Sequence, residues 1–231
     1  MFLLMIKRFI PLLIFILVEI VLSIFVLFIE TPILNILSYL VIVFAFIFSL
    51  FTLFKNYNYL ITIGLFFTLL ADLFLVVLGN EDLRAYGMFF FVFTQLSYGI
   101  YLIFNDRKHI VPSLIIRGAI NILTIIIGLI VLKEKADPLS IFSIIYFANL
   151  ISNIVVCFLN IKKLYFFLIA LLLFLLCDLF VGFTTANGIY FTYEDGTFLY
   201  YLVNANFNFA WLFYIPSQTL IAITTYKVVL K

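Results

Sequence analysis

Two short segments hold the residues most able to do chemistry. Residues 69–74 read Leu-Leu-Ala-Asp-Leu-Phe, and residues 175–180 read Leu-Leu-Cys-Asp-Leu-Phe. Each sets one carboxyl group, Asp72 or Asp178, in a long apolar run. A charged side chain in hydrocarbon costs about 3 kcal/mol or more, and such residues are rare outside functional sites. Two carboxyls that share a site titrate in separate steps, so one acts as acid while the other acts as base. A lone intramembrane aspartate often caps a neighbouring helix or pairs with a cation. Neither Asp72 nor Asp178 has a lysine or arginine at its own depth, so the matched pair points to acid/base work.

Further polar groups interrupt the apolar runs. Glu19 lies midway along the first run and Arg117 a few residues inside the fifth. A structural ion pair between them is the preferred reading, with a proton relay through Glu19 as the alternative. Near the C-terminus, Asn204, Asn208, Trp211, Tyr214 and Gln218 share about one third of a helix circumference at roughly 100° per residue. That stripe reads as cavity lining, and Pro216 beside it is expected to kink the helix and free a carbonyl. Gln95 and Tyr98 share a face at i, i+3. For any one of these groups, hydrogen bonding between helices is an equal reading. Glu81, Asp82, Glu194 and Asp195 fall in connections, where they attract a cationic lipid head group or are simply solvated. The single histidine, His109, sits in a charged turn, and Cys157 and Cys177 are far apart in apolar runs. Those positions exclude a histidine-based metal centre, a CxxC pair and a zinc site. Phosphate-cradling glycine loops, Ser-His-Asp sets and HExxH motifs are absent from the sequence.

The carboxyls need elements that can hold them in lipid. Of 231 residues 67% are apolar and only 10% charged, against roughly 25% in an ordinary soluble protein. Thirty-one phenylalanines and a mean hydropathy of +1.33 push the same way. This composition excludes a soluble enzyme, a disordered regulator and a secreted disulfide scaffold, and it marks an integral membrane protein. A net charge of +2 without a basic run argues against a nucleic-acid partner.

Short polar connections divide the chain into eight expected spans, near 9–29, 33–54, 59–79, 83–104, 110–132, 139–160, 164–184 and 198–226. Most have about 20 residues, enough for a helix to cross roughly 30 Å of hydrocarbon. The first run follows Lys7-Arg8 but is too long for a signal-peptide core and lacks a small-residue cleavage site, so it reads as the first helix. With eight spans, one side carries Lys7, Arg8, Lys55, Arg107, Lys108, Lys162, Lys163, Lys227 and Lys231. The other carries Arg84, Lys133 and Lys135. That bias places both termini in the cytoplasm. Only helices satisfy backbone groups within one segment in lipid, so the expected fold is an all-α polytopic bundle, a single membrane domain over residues 1–231. Asp72 and Asp178 then lie on the third and seventh helices, roughly 10 Å below the non-cytoplasmic boundary. Their motifs are four spans apart, which suggests a parallel four-plus-four repeat of residues 1–106 and 107–231.

Several motifs together resemble the YhhN family of lysoplasmalogenase-like membrane proteins. The first is Ala71-Asp72-Leu73-Phe74-Leu75, followed by Gly87-Met88-Phe89-Phe90-Phe91 and Gln95-Leu96-Ser97-Tyr98. The second is Leu173-Phe174-Leu175-Leu176-Cys177-Asp178, and the third is Tyr214-Ile215-Pro216-Ser217-Gln218-Thr219-Leu220-Ile221. The resemblance covers most of the chain from residue 59 onward. Gln95 stands where the family pattern has His, and a family Lys-Pro near the second helix is represented at most by Thr31-Pro32.

The resemblance implies eight spans and a lysoplasmalogen substrate, which is cleaved to a fatty aldehyde and a glycerophospho-base. The residues fit that chemistry. A vinyl ether hydrolyses by protonation of its β carbon and capture of an oxocarbenium-like cation by water, much as two carboxyls hydrolyse a glycoside. Asp72 and Asp178 are the expected acid/base pair. Gln95, Tyr98, Tyr214 and Gln218 would position water or the ether oxygen, and Asn204 and Asn208 would bind the glycerol or phosphate. No metal or organic cofactor is expected. Two other readings stay open: a proton-coupled lipid or solute transporter that uses the same carboxyls as a relay, and a catalytically silent lipid-binding relative.

Overall fold

A computed structural model describes residues 2–28, 33–56, 59–105, 110–133, 136–187, 192–205 and 207–226. Lys135, His109, the Arg107-Lys108 turn, Thr31-Pro32, the C-terminal lysines and the side chains of Lys7, Arg8 and Lys55 lie outside what is described. The architecture is all-helical: α1 (Phe2–Phe28), α2 (Leu34–Asn56), α3 (Tyr59–Asp72), α4 (Arg84–Asn105), α5 (Ile110–Leu132), α6 (Pro138–Leu159), α7 (Ile161–Ala186), α8 (Phe198–Val203) and α9 (Phe209–Thr224). Among the described residues, seven helical segments are long and apolar enough to cross a membrane. They match the first seven expected spans to within a few residues, apart from the N-terminal extension of α1 to Phe2.

The last expected span differs. Residues 198–226 form two helices rather than one, broken at residues 204–208, and α9 is a shorter apolar helix. The break follows from asparagine chemistry, since Asn side chains compete with the helix for backbone groups and favour caps. Asn204 ends α8 and donates to the Tyr200 carbonyl at 2.9 Å. Asn208 begins α9 and accepts from the Trp211 amide at 3.4 Å. Within α9 the helix runs on through Pro216.

Helix ends elsewhere follow ordinary rules. Asp137 and Ser140 form a capping box ahead of Pro138, which suits the first helical position. Beyond Asp72 the chain does not continue as an α-helix. Residues Leu73–Leu78 widen to π geometry and stop at Gly79, whose φ of 56° favours glycine.

In lipid, close packing and hydrogen bonds hold helices together, because tails compete equally for apolar surface. The chain uses glycine for close approach. Gly64 on α3 lies under the ring of Tyr98 on α4, so close that a Cβ there would overlap Tyr98 Cε1. Gly87 on α4 lies under Leu75 in the same way. Helices α3, α4, α6, α7 and α9 form the centre, with α3 on α4, α4 on α6, α6 on α7 and α7 on α9. Leu65, Tyr98, Leu102, Leu150, Phe167, Leu171 and Phe174 are fully enclosed there. The peripheral α5 packs mainly on α6, and its Ile115, Ile122 and Ile130 point outward.

Candidate active site

The two aspartates lie on α3 and α7, the helices the sequence assigns them to, and each is held by a tyrosine from another helix. Asp72 is buried, and its Oδ2 accepts the hydroxyl of Tyr214 from α9. Asp178 is partly buried, and its Oδ2 accepts the hydroxyl of Tyr146 from α6 at 2.5 Å. One ring joins the two units. Phe174, one turn before Asp178, meets Tyr214 edge-on at 5.6 Å and Tyr146 at 6.2 Å. Asp72 stands within electrostatic reach of Asp178, and Cys177 within reach of both. Phe91 closes the same wall against Tyr146 and Phe174, at 5.3 Å and 5.7 Å. Such an enclosure of aromatic rings is apolar around the carboxyls and strengthens every charge interaction inside it.

The π turn adds to this geometry. It begins at the residue after Asp72, and π segments inside helices are frequent at functional sites. The third helix therefore changes its winding where its carboxyl meets Tyr214.

A second polar layer lies deeper. Gly87 faces the backbone of Ala71, level with Asp72, whereas Gln95 is eight residues further along α4, about 12 Å. Tyr98 lies over Gly64, also about 12 Å along the bundle from Asp72. Gln218 is four residues beyond Tyr214, about 6 Å. Gln95 Oε1 accepts from Asn153 Nδ2 at 2.9 Å, and Gln95 Nε2 has no partner among the described residues. Both amide atoms of Gln218 are likewise buried without partners. The Tyr98 hydroxyl is buried without a well-formed hydrogen bond among the described residues and lies near Thr68.

Of the eight expected site residues, the structure thus gathers Asp72, Asp178 and Tyr214 in one layer and Gln95, Tyr98 and Gln218 towards another. Asn204 and Asn208 belong to neither layer. They are exposed at the α8–α9 break and spend their side chains on local caps, so the single five-residue stripe does not form. The expected Glu19–Arg117 pair does not form either. Arg117 on α5 donates to Asn153 Oδ1 on α6 at 2.6 Å, while Glu19 lies beside Thr219 of α9. The Thr219 hydroxyl is committed to the Ile215 carbonyl at 2.8 Å, and neither Glu19 oxygen has a well-formed hydrogen bond among the described residues.

Residues 33–225, most of the chain, match the YhhN family. The chain belongs to the YhhN family. That family is associated with hydrolase activity. Neither a curated protein nor a solved structure matches the chain. The YhhN match takes in α2 to α9, and with them both carboxyl–tyrosine units. Tyr146 is the functional candidate that the motifs of this YhhN protein do not contain. Its signal was a polar stripe on α6, where Tyr146, Asn149 and Asn153 recur at helical spacing in an apolar run.

Proposed function

We propose that this YhhN protein hydrolyses the vinyl ether bond of lysoplasmalogens, with Asp72 and Asp178 as its acid/base pair. The observation that carries the reading is the pair of tyrosine-held carboxyls in one aromatic enclosure, joined through the ring of Phe174. With Oδ2 of each aspartate held by a tyrosine, Oδ1 is the oxygen left to exchange a proton. The protonated aspartate gives its proton to the β carbon of the vinyl ether. The double-bond electrons form that C–H bond, and the ether oxygen stabilises the resulting cation. The other carboxylate takes a proton from water as the water oxygen bonds to the α carbon. The hemiacetal then collapses, its hydroxyl proton leaves, and the glycerol oxygen departs protonated with the aldehyde as co-product. One water is consumed and no electron is gained or lost.

In this account Tyr146 and Tyr214 position the carboxyls. Gln95, Tyr98 and Gln218 hold water below them with their free polar atoms, and Asn204 and Asn208 meet the glycerophospho end where the site opens. The substrate chain lies between helices, continuous with the bilayer. The test is aldehyde release from a lysoplasmalogen by purified protein, with Asp72→Asn and Asp178→Asn as controls. Full turnover in either variant rejects the pair.

The same reading takes the chain as eight spans in two parallel halves, with both termini cytoplasmic and the site nearer the other face. The packing supports it. Helices α1 on α2, α2 on α3 and α3 on α4 have counterparts in α5 on α6, α6 on α7 and α7 on α9. Tyr39 on α2 also stands within electrostatic reach of Asp72, as Tyr146 on α6 does of Asp178.

One observation favours a second reading, a silent lipid binder. Gln95 replaces a protonatable histidine, and its Oε1 is committed to Asn153. Lipid binding without aldehyde, with aldehyde release gained by Gln95→His, selects that reading.

A further inference from the structure

Arg117 is a cationic side chain buried well inside α5, and no counter-ion faces it among the described residues. It is 9% exposed, so its guanidinium does not reach the interface by snorkelling along α5. Its Nη1 donates to Asn153 Oδ1 and rests over Gly99, where a Cβ would come within 2.8 Å. Its Nε and Nη2 have no partner among the described residues. One turn earlier on the same face of α5, Ser113 is 7% exposed and its hydroxyl is also without a partner. Asp72 and Asp178 are bound to tyrosines elsewhere, and Glu19 faces α9. A buried charge left uncompensated is strongly destabilising, and a guanidinium fork matches the planar or tetrahedral oxygens of an oxyanion.

We propose that Arg117 and Ser113 form an anion site for a phosphate group, separate from the aspartate site. Arg117 Nε and Nη2 take two phosphate oxygens as a fork, and Ser113 Oγ donates to one of them. Arg117 is seven residues, about 10 Å, from the Ile110 end of α5, the end that the lysine and arginine count places in the cytoplasm. Ser113 and Arg117 are the only buried residues of α5, which packs mainly on α6. Parting that one seam admits the anion from the lipid side, and the phosphate of an inner-leaflet phospholipid is the source nearest to it. The site owes nothing to the proposed hydrolysis, and its test reads no turnover.

The experiment is thermal unfolding of the purified full chain in neutral detergent, titrated separately with phosphatidic acid, phosphatidylcholine and inorganic phosphate. Wild-type protein gains about 5 °C or more at saturating phosphatidic acid. The gain disappears in Arg117→Gln and falls by half or more in Ser113→Ala, a small change that keeps the fold if the arginine variant does not. Arg117→Lys, which keeps the charge but not the fork, retains only part of it. An equal gain from inorganic phosphate that is lost in the same variants identifies a free anion as the source and keeps the site. A gain unchanged in Arg117→Gln or Ser113→Ala, or no gain from any phosphate, overturns it.

Discussion

Tyr146 donates its hydroxyl to Asp178 across the α6–α7 contact at 2.5 Å, and nothing in the sequence around Asp178 announces that partner. Tyr214 does the same for Asp72 from α9. A hydroxyl donated to a carboxylate fixes one oxygen and leaves the other to work. Loss of a hydrogen bond to a charged group costs about 1.5–3 kcal/mol. Tyr146→Phe and Tyr214→Phe should therefore each lower aldehyde turnover about 10- to 100-fold in protein that stays folded at the assay temperature. Steady-state kinetics beside a melting curve checks this, and unchanged turnover in both variants removes the tyrosines from the mechanism.

The α3–α4 contact depends on the missing side chain at Gly64. A Cβ there would overlap the ring of Tyr98, which is fully enclosed and has no room to turn away. Overpacking of this kind costs about 1–3 kcal/mol. Gly64→Ala should lower the unfolding midpoint by about 2–10 °C. An unchanged midpoint would show that the two helices separate freely at this level.

Glu19 presents two buried oxygens with no well-formed hydrogen bond among the described residues. An unsatisfied buried polar group costs about 1–3 kcal/mol, and an apolar residue of similar size relieves that cost. Glu19→Leu should raise the unfolding midpoint and leave aldehyde release intact. Lost release in a folded Glu19→Leu protein would instead make Glu19 a proton relay.

Asp137 lies outside the spans and caps α6. Hydrogen bonds from Ser140 hold its carboxyl below the usual carboxylate range. A carboxyl with a lowered value in the folded state stabilises the fold above its unfolded value, near 3.9, and loses that contribution as pH falls through the lowered value. Asp137→Ala should cost about 0.5–1 kcal/mol above roughly pH 5. The difference from wild type should shrink below roughly pH 4. Melting curves across that range check the sign, and a difference that grows with acidity contradicts it.

Much of the frame was legible because lipid imposes it. Apolar runs of spanning length and the polar turns between them placed seven helices, and the repeated Leu-Leu-x-Asp-Leu-Phe placed both carboxyls. The α8–α9 break was harder to read, since a 100° periodicity treats Asn204 and Asn208 as lining when their local chemistry is that of caps. The partner of Arg117 was misjudged for a related reason. Charge alone suggested Glu19, but α1 packs on α2 and α9 while α5 packs on α6, so the two groups never meet. Tyr146 is harder to read because the polar stripe on α6 that contains it does not say which neighbouring helix its hydroxyl meets.

The most direct test of the central claim is single-substrate aldehyde release from a lysoplasmalogen by the purified, folded protein, measured in parallel for wild type, Asp72→Asn and Asp178→Asn. The account predicts release by wild type and a loss of at least about 100-fold in each variant, the scale of a general acid or base. Wild-type turnover retained in either variant, or no aldehyde from a wild-type protein shown to bind the lipid, would contradict it.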